Sequence, residues 1–590
     1  MAVVAYAAVV SLMHVLDQIP AMHKLHLDRN HIQILRENVS FLQDFLEVHS
    51  QRFSEDLEDL ARQIAAVADE AEDIIDAHVV DQLKSQRPED ESYMDLSSFC
   101  KDIDRVIEKM DLIKKELMMV KEGMTVQEQQ HRVSVLASSS ATRSSGKNTM
   151  VGFDEHLIRI MDELTGYKSD LQILPIVGMG GIGKTTLARN VFENSLIAYH
   201  FHVRLWVRIS QGYSIDGILL GLLQDMGVCE KDKKSGEDLA ELGEKLYKSL
   251  SGRKYLIVMD DVWSRDVWND IKLFFPDNKS GSRIMVTTRL LNVVGSLGCH
   301  NPYLLDFLDE DQSWNLFCEE AFTEGCPPEL EEIGKKIARS CRGLPLAIVV
   351  IGGLLSNSNM TRQYWEFVAE NVSSFANSGN EEHCLKILSL SYKHLPIHLK
   401  PCFLYMRVFP DDVQIVVSEL IKAWVAEGFL KPIRSKTLEE VAEEYLKDLI
   451  GRNLILICKW TLNGKIKKCS IHDFLRDLCL RESEKEHFYH VPKVQVMDFW
   501  NDDLKKCFLC SNPHPSTNIY LPQIHDISQP TSLASCFVCN VCRIMHPQLD
   551  RSRVVRAIDM PFEGYPQPNK LRYLNLSIGS SDTGSNGSPI

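Results

Sequence analysis

The stretch Gly178-Met-Gly-Gly-Ile-Gly-Lys-Thr-Thr186 has the residue types and spacing that most clearly indicate chemistry in this chain. It fits G-x-x-x-x-G-K-[ST], the phosphate-binding loop. Its glycines let backbone N–H groups face phosphate oxygens, and the N-terminus of a following helix adds partial positive charge. Lys184 can reach the β- and γ-phosphates, and the Thr185 hydroxyl can ligate Mg²⁺. The candidate phosphate-binding residues are Gly178, Gly180, Gly181, Gly183, Lys184, Thr185 and Thr186.

Two carboxylates follow a second apolar run. Tyr255–Met259 predicts a buried strand, and Asp260 and Asp261 come directly after it. In P-loop proteins an acid at such a strand end orders Mg²⁺. We therefore expect Asp260, with Thr185, to bind the metal. Asp261 is the candidate for orienting or deprotonating an attacking water.

A third run, Ile284–Val286, ends near Arg289. A guanidinium at a strand end beside the phosphate loop can bind a terminal phosphate, because its planar fork matches oxyanions. Arg289 is therefore a candidate catalytic and phosphate-binding residue. The alternative is an ordinary surface arginine.

These residues need a scaffold, and the sequence predicts a multidomain one. Besides the two strands already named, apolar runs predict strands at Ile173–Val177 and Val203–Ile209. Residues Thr186–Glu193 predict the helix that follows the loop. Strands alternating with helices over residues 151–295 predict a parallel sheet covered on both faces. Residues 126–150 are polar and Ser-rich, which is typical of a linker. From about 300 to 485 the pattern is helical.

Residues 1–125 predict a helical bundle, because apolar residues recur at 3,4 spacing. Two stripes carry the clearest repeat: Ile32, Leu35, Val39, Leu42 and Leu46, and Leu57, Leu60, Ile64, Val67, Ala71 and Ile74. Met1–Leu16 is nearly all apolar but short of a membrane span. We expect a helix buried in the bundle; insertion into a membrane after a conformational change is the alternative. Glu72-Asp-Ile-Ile-Asp76 is either a solvated acidic face or a docking patch for basic residues.

The composition limits the function classes. The formal net charge of −16 argues against a broad nucleic-acid footprint. The sixteen cysteines lie scattered, mostly in apolar runs, so we expect reduced thiols in the cytosol. Two CxxC motifs lie near the C-terminal end, at Cys507 and Cys510 and at Cys536 and Cys539. The segment between the two motifs is longer than in common zinc sites, so we favour a strand with buried thiols over a zinc site.

An ordered set of motifs carries a family resemblance. The phosphate loop is followed by Phe201–Ser210, Leu256–Trp263, Gly281–Arg289, Gly343-Leu-Pro-Leu-Ala347 and Ile471-His-Asp473. In this order the chain resembles plant intracellular immune receptors of the coiled-coil NB-ARC leucine-rich-repeat class, late-blight-resistance type, over about residues 1–485. The resemblance implies a helical domain at 296–375 and a winged-helix domain at 376–485.

Site roles also follow from the resemblance. It implies that Val151 lines the adenine, that Pro345 packs near the base and sugar, and that His472 touches the β-phosphate of ADP. It implies ADP at rest, ATP when active, bound Mg²⁺, and at most a slow ATPase that resets the switch. The family usually has Met where Ile471 stands, a volume-conserving apolar difference.

Residues 486–590 predict the start of a leucine-rich-repeat region, with Leu571–Leu576 fitting one unit. One unit cannot bury its own face, so we expect a truncated repeat region or a completing partner.

The function expected from the resemblance is a switch of plant innate immunity that triggers defence and hypersensitive cell death on pathogen perception. A truncated regulator or decoy, and a constitutive P-loop NTPase, are the alternatives. The expected partners are a pathogen effector or guarded host protein, a helper receptor, and other copies through the N-terminal helices, without nucleic acid. The expected location is the cytoplasm, with transient contact at the plasma membrane.

Overall fold

The structure is a computed structural model. It describes residues 1–18, 29–49, 55–85, 96–125, 151–209, 213–228, 239–299, 302–358, 361–375, 378–409, 413–433, 435–488, 554–558 and 573–577. Within this part of the chain, no helix is long and apolar enough to cross a membrane.

Four helices form the N-terminal bundle: α1 (Ala2–Gln18), α2 (Arg29–His49), α3 (Glu55–Ser85) and α4 (Leu96–Thr125). The predicted apolar stripes face its core, except that Ile75 is fully buried where the pattern favoured Ile74. Glu72 is buried too and accepts a hydrogen bond from Ser11 Oγ at 2.7 Å. The interpretation of Glu72 as part of a solvated acidic face was therefore wrong, because its carboxylate pairs with a hydroxyl of α1 inside the bundle.

The second unit is an α/β domain built on a parallel sheet. Its elements are α5 (Asp154–Thr165), β1 (Gln172–Val177), α6 (Lys184–Glu193), α7 (Ser195–His200), β2 (Val203–Arg208), α8 (Ile215–Asp225), α9 (Leu239–Leu250), β3 (Tyr255–Asp260), α10 (Arg265–Ile271), β4 (Arg283–Thr288), α11 (Leu291–Ser296) and β5 (Tyr303–Leu304). The strand order is β2-β3-β4-β1-β5, and every neighbouring pair is parallel.

This sheet matches the prediction for residues 151–295, with one extension. The two-residue strand β5 pairs with β1 beyond residue 295. A strand of two residues is too short to show an apolar pattern in the sequence, so β5 was not predicted. The strands β3 and β4 are buried along their whole length, as their continuous apolar runs require. The ends of β1, β3 and β4 bring the candidate site residues to one edge of the sheet.

Two further units follow. The helical unit contains α12 (Glu310–Ala321), α13 (Pro328–Ser340), α14 (Pro345–Ser356) and α15 (Arg362–Ser374). The winged-helix unit contains α16 (Asn380–Lys393), α17 (Lys400–Tyr405), β6 (Ile415–Val416), α18 (Val417–Glu427), α19 (Leu438–Gly451), β7 (Leu456–Trp460), β8 (Ile466–Ser470) and α20 (Asp473–Glu486). Its strands form an antiparallel sheet in the order β6-β8-β7.

The described part of residues 486–590 includes two strands, β9 (Val554–Ile558) and β10 (Tyr573–Ser577), which pair in parallel. Parallel neighbouring strands suit stacked repeats, and β10 overlaps the predicted leucine-rich unit at residues 573–576. The four cysteines considered for zinc lie outside the described residues.

The bundle packs directly on the winged-helix unit. Helix α1 contacts α17 and α20 as well as α2 and α3. The α-amino group of Met1 pairs with Glu486, and Lys431 Nζ lies 2.8 Å from Glu47 Oε1. The apolar N-terminal helix is thus covered by its own bundle on one side and by the winged-helix unit on the other.

Candidate nucleotide-binding site

The phosphate loop joins β1 to α6, as the sequence predicted, although the helix begins at Lys184 rather than at Thr186. Gly181 and Gly183 have φ values of +75° and +100°, a region that glycine enters without steric cost. Gly183 is also approached closely, since a methyl group there would lie 2.7 Å from Phe153 Cζ. The loop conformation therefore requires glycine at both positions.

Lys184 is folded onto its own loop. Its Nζ donates hydrogen bonds to the carbonyl oxygens of Gly178 and Met179 at 2.8 and 2.9 Å, and the residue is only 6% exposed. Burial lowers the pKa of Lys184 to about 8, and the positive charge of Arg289 acts in the same direction. Asp261 and Asp260 oppose that shift. A bound polyphosphate would add negative charge beside this ammonium and would raise its pKa.

Asp260 is fully buried at the end of β3 and receives two hydroxyl groups. Thr185 Oγ1 donates to Asp260 Oδ1 at 2.9 Å, and Thr287 Oγ1 donates to the same oxygen at 2.6 Å. A hydroxyl and a carboxylate this close form the hard-oxygen pair that Mg²⁺ uses beside phosphates and water. The residues therefore fit Mg²⁺. No cluster of three or more His, Cys, Asp or Glu side chains suited to a metal occurs among the described residues, so phosphate and water would complete the shell.

Asp261 lies beside this pair with a φ of +60°, an uncommon conformation for a residue other than glycine. Such backbone strain is often found at functional sites. Burial raises the pKa of Asp261; the charge of Arg289 opposes the shift and that of Asp260 adds to it. A carboxylate with a raised pKa accepts a proton more readily than an ordinary aspartate, which suits the expected role on water.

Arg289 contacts the winged-helix unit. Its guanidinium forms an ion pair with Asp473, the first residue of α20, and lies between the rings of Trp263 and Phe474 at 5.0 and 5.1 Å. Its Nε is 4.0 Å from Asp261 Oδ1. The predicted residue is thus in the site, but in this arrangement its partner is a carboxylate of another unit.

His472 precedes α20 and caps it. Its Nδ1 lies 2.5 Å from Asp473 Oδ1 and 3.2 Å from the Phe474 amide nitrogen, so Nε2 is the ring nitrogen left for a ligand. Burial lowers the pKa of His472 to about 3, reinforced by the charges of Arg289, Lys184 and Arg208. Lys184, Arg208 and Arg289 therefore lie near the loop with a neutral imidazole, and Asp260, Asp261 and Asp473 lie among them.

The winged-helix and helical units both touch the phosphate loop. A methyl group at Gly180 would lie 2.7 Å from Phe474 Cε2. The Leu346 amide, one residue after Pro345 at the start of α14, donates to the Gly181 carbonyl at 3.1 Å. Val151 packs on the core two residues before Phe153, and the Phe153 ring lies against Gly183 of the loop. The structure thus brings the phosphate loop, Asp260, Asp261, Arg289 and the start of α20 together, whereas the roles of Val151, Pro345 and His472 toward a nucleotide stay predictions.

Four residues of the site were not predicted as such: Phe153, Arg208, Thr287 and Phe474. Thr287 had a readable signal, because it precedes Arg289 at the carboxyl end of a predicted strand. Arg208 also stands at a strand end, but only the strand order shows that β2 adjoins β3. Phe153 and Phe474 act by packing, which no local pattern reveals.

Comparison with known proteins identifies two of the units. Residues 153–326 match the model of the NB-ARC domain, and residues 408–479 match the disease resistance protein winged helix domain. The late blight resistance protein homologue R1B-19 of Solanum demissum is 34% identical over 517 residues, covering 86% of this chain and 37% of that protein. Late blight resistance protein R1-A of the same species is 34% identical over 472 residues, covering 78% and 35%.

The chain therefore spans about a third of the length of these relatives. Among solved structures, a signal transduction ATPase with numerous domains from Pyrococcus horikoshii matches at 18% identity and a TM-score of 0.33, covering 56% of this chain and 43% of that one.

Proposed function

This chain carries the NB-ARC and winged-helix domains of the disease resistance protein family, and on that premise we propose that it is an ADP/ATP-binding switch of plant innate immunity. The switch rests with ADP and becomes active with ATP. Activation on pathogen perception triggers the defence response and hypersensitive cell death. Slow hydrolysis, with Asp261 positioning water, returns the protein to rest.

One observation carries this proposal: the ion pair between Arg289 and Asp473. It joins the end of β4 to the start of α20, directly over the phosphate loop. Phe474 rests on Gly180 in the same contact. Anything that occupies the loop therefore bears directly on whether the winged-helix unit stays closed.

The proposal assigns the residues that would hold the nucleotide. Lys184 and the backbone amides of the loop bind the phosphates. Thr185 and Asp260 would hold Mg²⁺, and a bound Mg²⁺ would neutralise part of the phosphate charge. His472 Nε2 contacts the β-phosphate of ADP. Val151 and Pro345 line the pocket for the adenine and sugar.

Arg289 is the residue through which ADP and ATP would have different effects on the position of the winged-helix unit. With ADP its partner is Asp473, and the closed arrangement is retained. A γ-phosphate offers a dianionic partner to the same guanidinium, which then leaves Asp473. A nucleotide shifts a two-state equilibrium only by its differential affinity, and a swing from 1:99 to 99:1 requires about 5.5 kcal/mol.

Opening would also release the N-terminal bundle. Helix α1 is covered partly by the winged-helix unit, so separation of the two exposes apolar surface. We propose that copies of the chain then self-associate through these helices. A pathogen effector, a guarded host protein or a helper receptor would act as partner.

Lys184→Arg tests the proposal. The longer, planar guanidinium does not fit the loop's hydrogen bonds to Gly178 and Met179, so the variant should bind no ADP or ATP and should not signal in leaf tissue. Nucleotide binding is read as a rise in the melting temperature on adding ADP. Lys254→Arg, at a lysine that contacts His200 away from the loop, is the matched control. Full signalling by a nucleotide-free Lys184→Arg protein would refute the proposal.

A further inference from the structure

Arg208 lies beside the carboxylate that is expected to bind the metal. It is the last residue of β2 and the register partner of Asp260 on β3. Its Nε and Nη2 are each 3.4 Å from Asp260 Oδ2. Thr185 and Thr287 already occupy Oδ1. Both oxygens of this buried carboxylate therefore have protein partners before any metal enters.

The contact has an electrostatic reason. A buried carboxylate needs a compensating charge or several hydrogen bonds, since its desolvation is costly. Mg²⁺ would supply that charge, but here a guanidinium stands on the same side chain. Arginine does not lose its proton in proteins, so it can leave Asp260 only by moving. Its side chain is 28% exposed, which leaves room for such movement.

We propose that Arg208 takes the metal's place on Asp260, so that the site holds ADP without Mg²⁺ and Mg²⁺ must displace the guanidinium to bind. This inference rests on the proposed nucleotide function. It makes Arg208 a positioning residue, which keeps Asp260 neutralised and the phosphate region free of carboxylate repulsion. Metal entry would require Arg208 to swing toward solvent, whereas Thr185 can offer an oxygen lone pair to the metal while its hydroxyl still donates to Asp260.

The test compares ADP affinity with and without metal. A fluorescent ADP analogue is titrated into purified full-length protein in excess EDTA and again in saturating Mg²⁺. Wild type should bind in both conditions. Arg208→Gln should bind on the order of tenfold more weakly in EDTA, as expected for losing a charged hydrogen-bond partner. In Mg²⁺ it should match wild type within about twofold, because the metal then supplies the charge.

The Mg²⁺ affinity of the ADP-loaded protein gives a second, opposite readout. Arg208→Gln should bind Mg²⁺ more tightly than wild type by a similar factor, because no guanidinium has to be displaced. Arg208→Lys keeps the charge and should retain most of the EDTA binding. Arg204→Gln is the matched control: it removes a charge from the same strand at a residue that contacts Phe192 instead of Asp260.

Equal effects of Arg208→Gln in EDTA and in Mg²⁺, or an unchanged Mg²⁺ affinity, would overturn the inference. A wild type that binds no ADP in either condition would instead overturn the proposed function. Melting curves without nucleotide check that each variant is folded. If Arg208→Gln does not fold, Arg208→Lys is compared with wild type by the same two measurements, ADP affinity in EDTA and Mg²⁺ affinity of the ADP-loaded protein. The expected loss of ADP affinity in EDTA is then smaller than for Arg208→Gln, because lysine keeps the charge and lacks only the planar fork of arginine.

Discussion

Lys184 is a buried ammonium that donates hydrogen bonds to the carbonyl groups of Gly178 and Met179. Burial and the charge of Arg289 together lower its pKa to about 8. Phosphates placed beside it would raise that pKa again. Protonation of Lys184 and binding of nucleotide are therefore linked, and each favours the other.

This linkage predicts how ADP affinity depends on pH. Below about pH 8 Lys184 is already protonated in the free protein, so the affinity is at its full value. As the pH rises above that value, binding must take up a proton, and affinity should fall by up to about tenfold per pH unit until the pKa of the bound state is reached. Calorimetric titrations in two buffers of different ionisation enthalpy would measure the proton uptake. Constant affinity across this range, with no uptake, would contradict it.

Much of the site could be predicted at the residue scale, because glycines, Lys184 and Thr185 lie together in one short segment. Asp260 and Arg289 followed from strand ends. Arg208 and Phe474 did not, since their roles depend on which strand and which unit lie next to the loop. Glu72 was misjudged for the same reason: its partner, Ser11, is in another helix.

At the scale of elements, one carboxylate of the bundle has partners both on α1 and on the winged-helix unit. Glu47 of α2 accepts hydrogen bonds from Tyr6 at 3.1 Å and from Lys431 at 2.8 Å. Burial tends to raise the pKa of Glu47, but these two partners and Gln43 outweigh it and the pKa is lowered. The carboxylate therefore stays ionised and serves both units at once.

Lys431→Glu should loosen this junction. It removes an ion pair worth about 1 kcal/mol at partial exposure and places two carboxylates together. Hydrogen exchange in Ala2–Gln18 should rise about fivefold or more, since 1.4 kcal/mol corresponds to tenfold. Lys436→Glu is the control, because Lys436 pairs with Glu444 within the winged-helix unit at similar exposure. Equal protection of α1 in both variants would count against a role for the Glu47 pair.

The elements themselves were largely predictable. Continuous apolar runs gave four strands of the parallel sheet, and 3,4 spacing gave the bundle helices, because burial on both faces and burial on one stripe leave different patterns. Strand β5 was missed for its length. The docking of the bundle on the winged-helix unit could not be read, since its contacts join residues nearly 400 positions apart, as with Glu47 and Lys431.

At the scale of the whole molecule, the Arg289–Asp473 pair and the contact of Phe474 with Gly180 join the winged-helix unit to the phosphate loop. The Arg289–Asp473 pair is only 18% and 15% exposed. Removing one partner of a buried ion pair costs about 3–5 kcal/mol. This is comparable with the roughly 5.5 kcal/mol needed to invert a 1:99 equilibrium, so on the proposed switch mechanism one substitution should shift the molecule far toward the open state.

Asp473→Val should therefore signal without a pathogen. Loss of the carboxylate removes the ion pair that joins Arg289 to α20, so the winged-helix unit should release the loop. Cell death in leaf tissue, at the expression level of the wild type, is the readout. Glu484→Val removes an exposed carboxylate from the same helix and should remain silent. A silent Asp473→Val protein, present at normal level, would argue against the closing role of this pair.

The most direct measurement is the identity of the nucleotide that co-purifies with the wild-type protein, released by denaturation and separated by chromatography. The account predicts ADP in roughly equimolar amount, retained through purification, and depleted in Asp473→Val. A protein that is empty after purification, and whose melting temperature does not respond to added ADP or ATP, would contradict it.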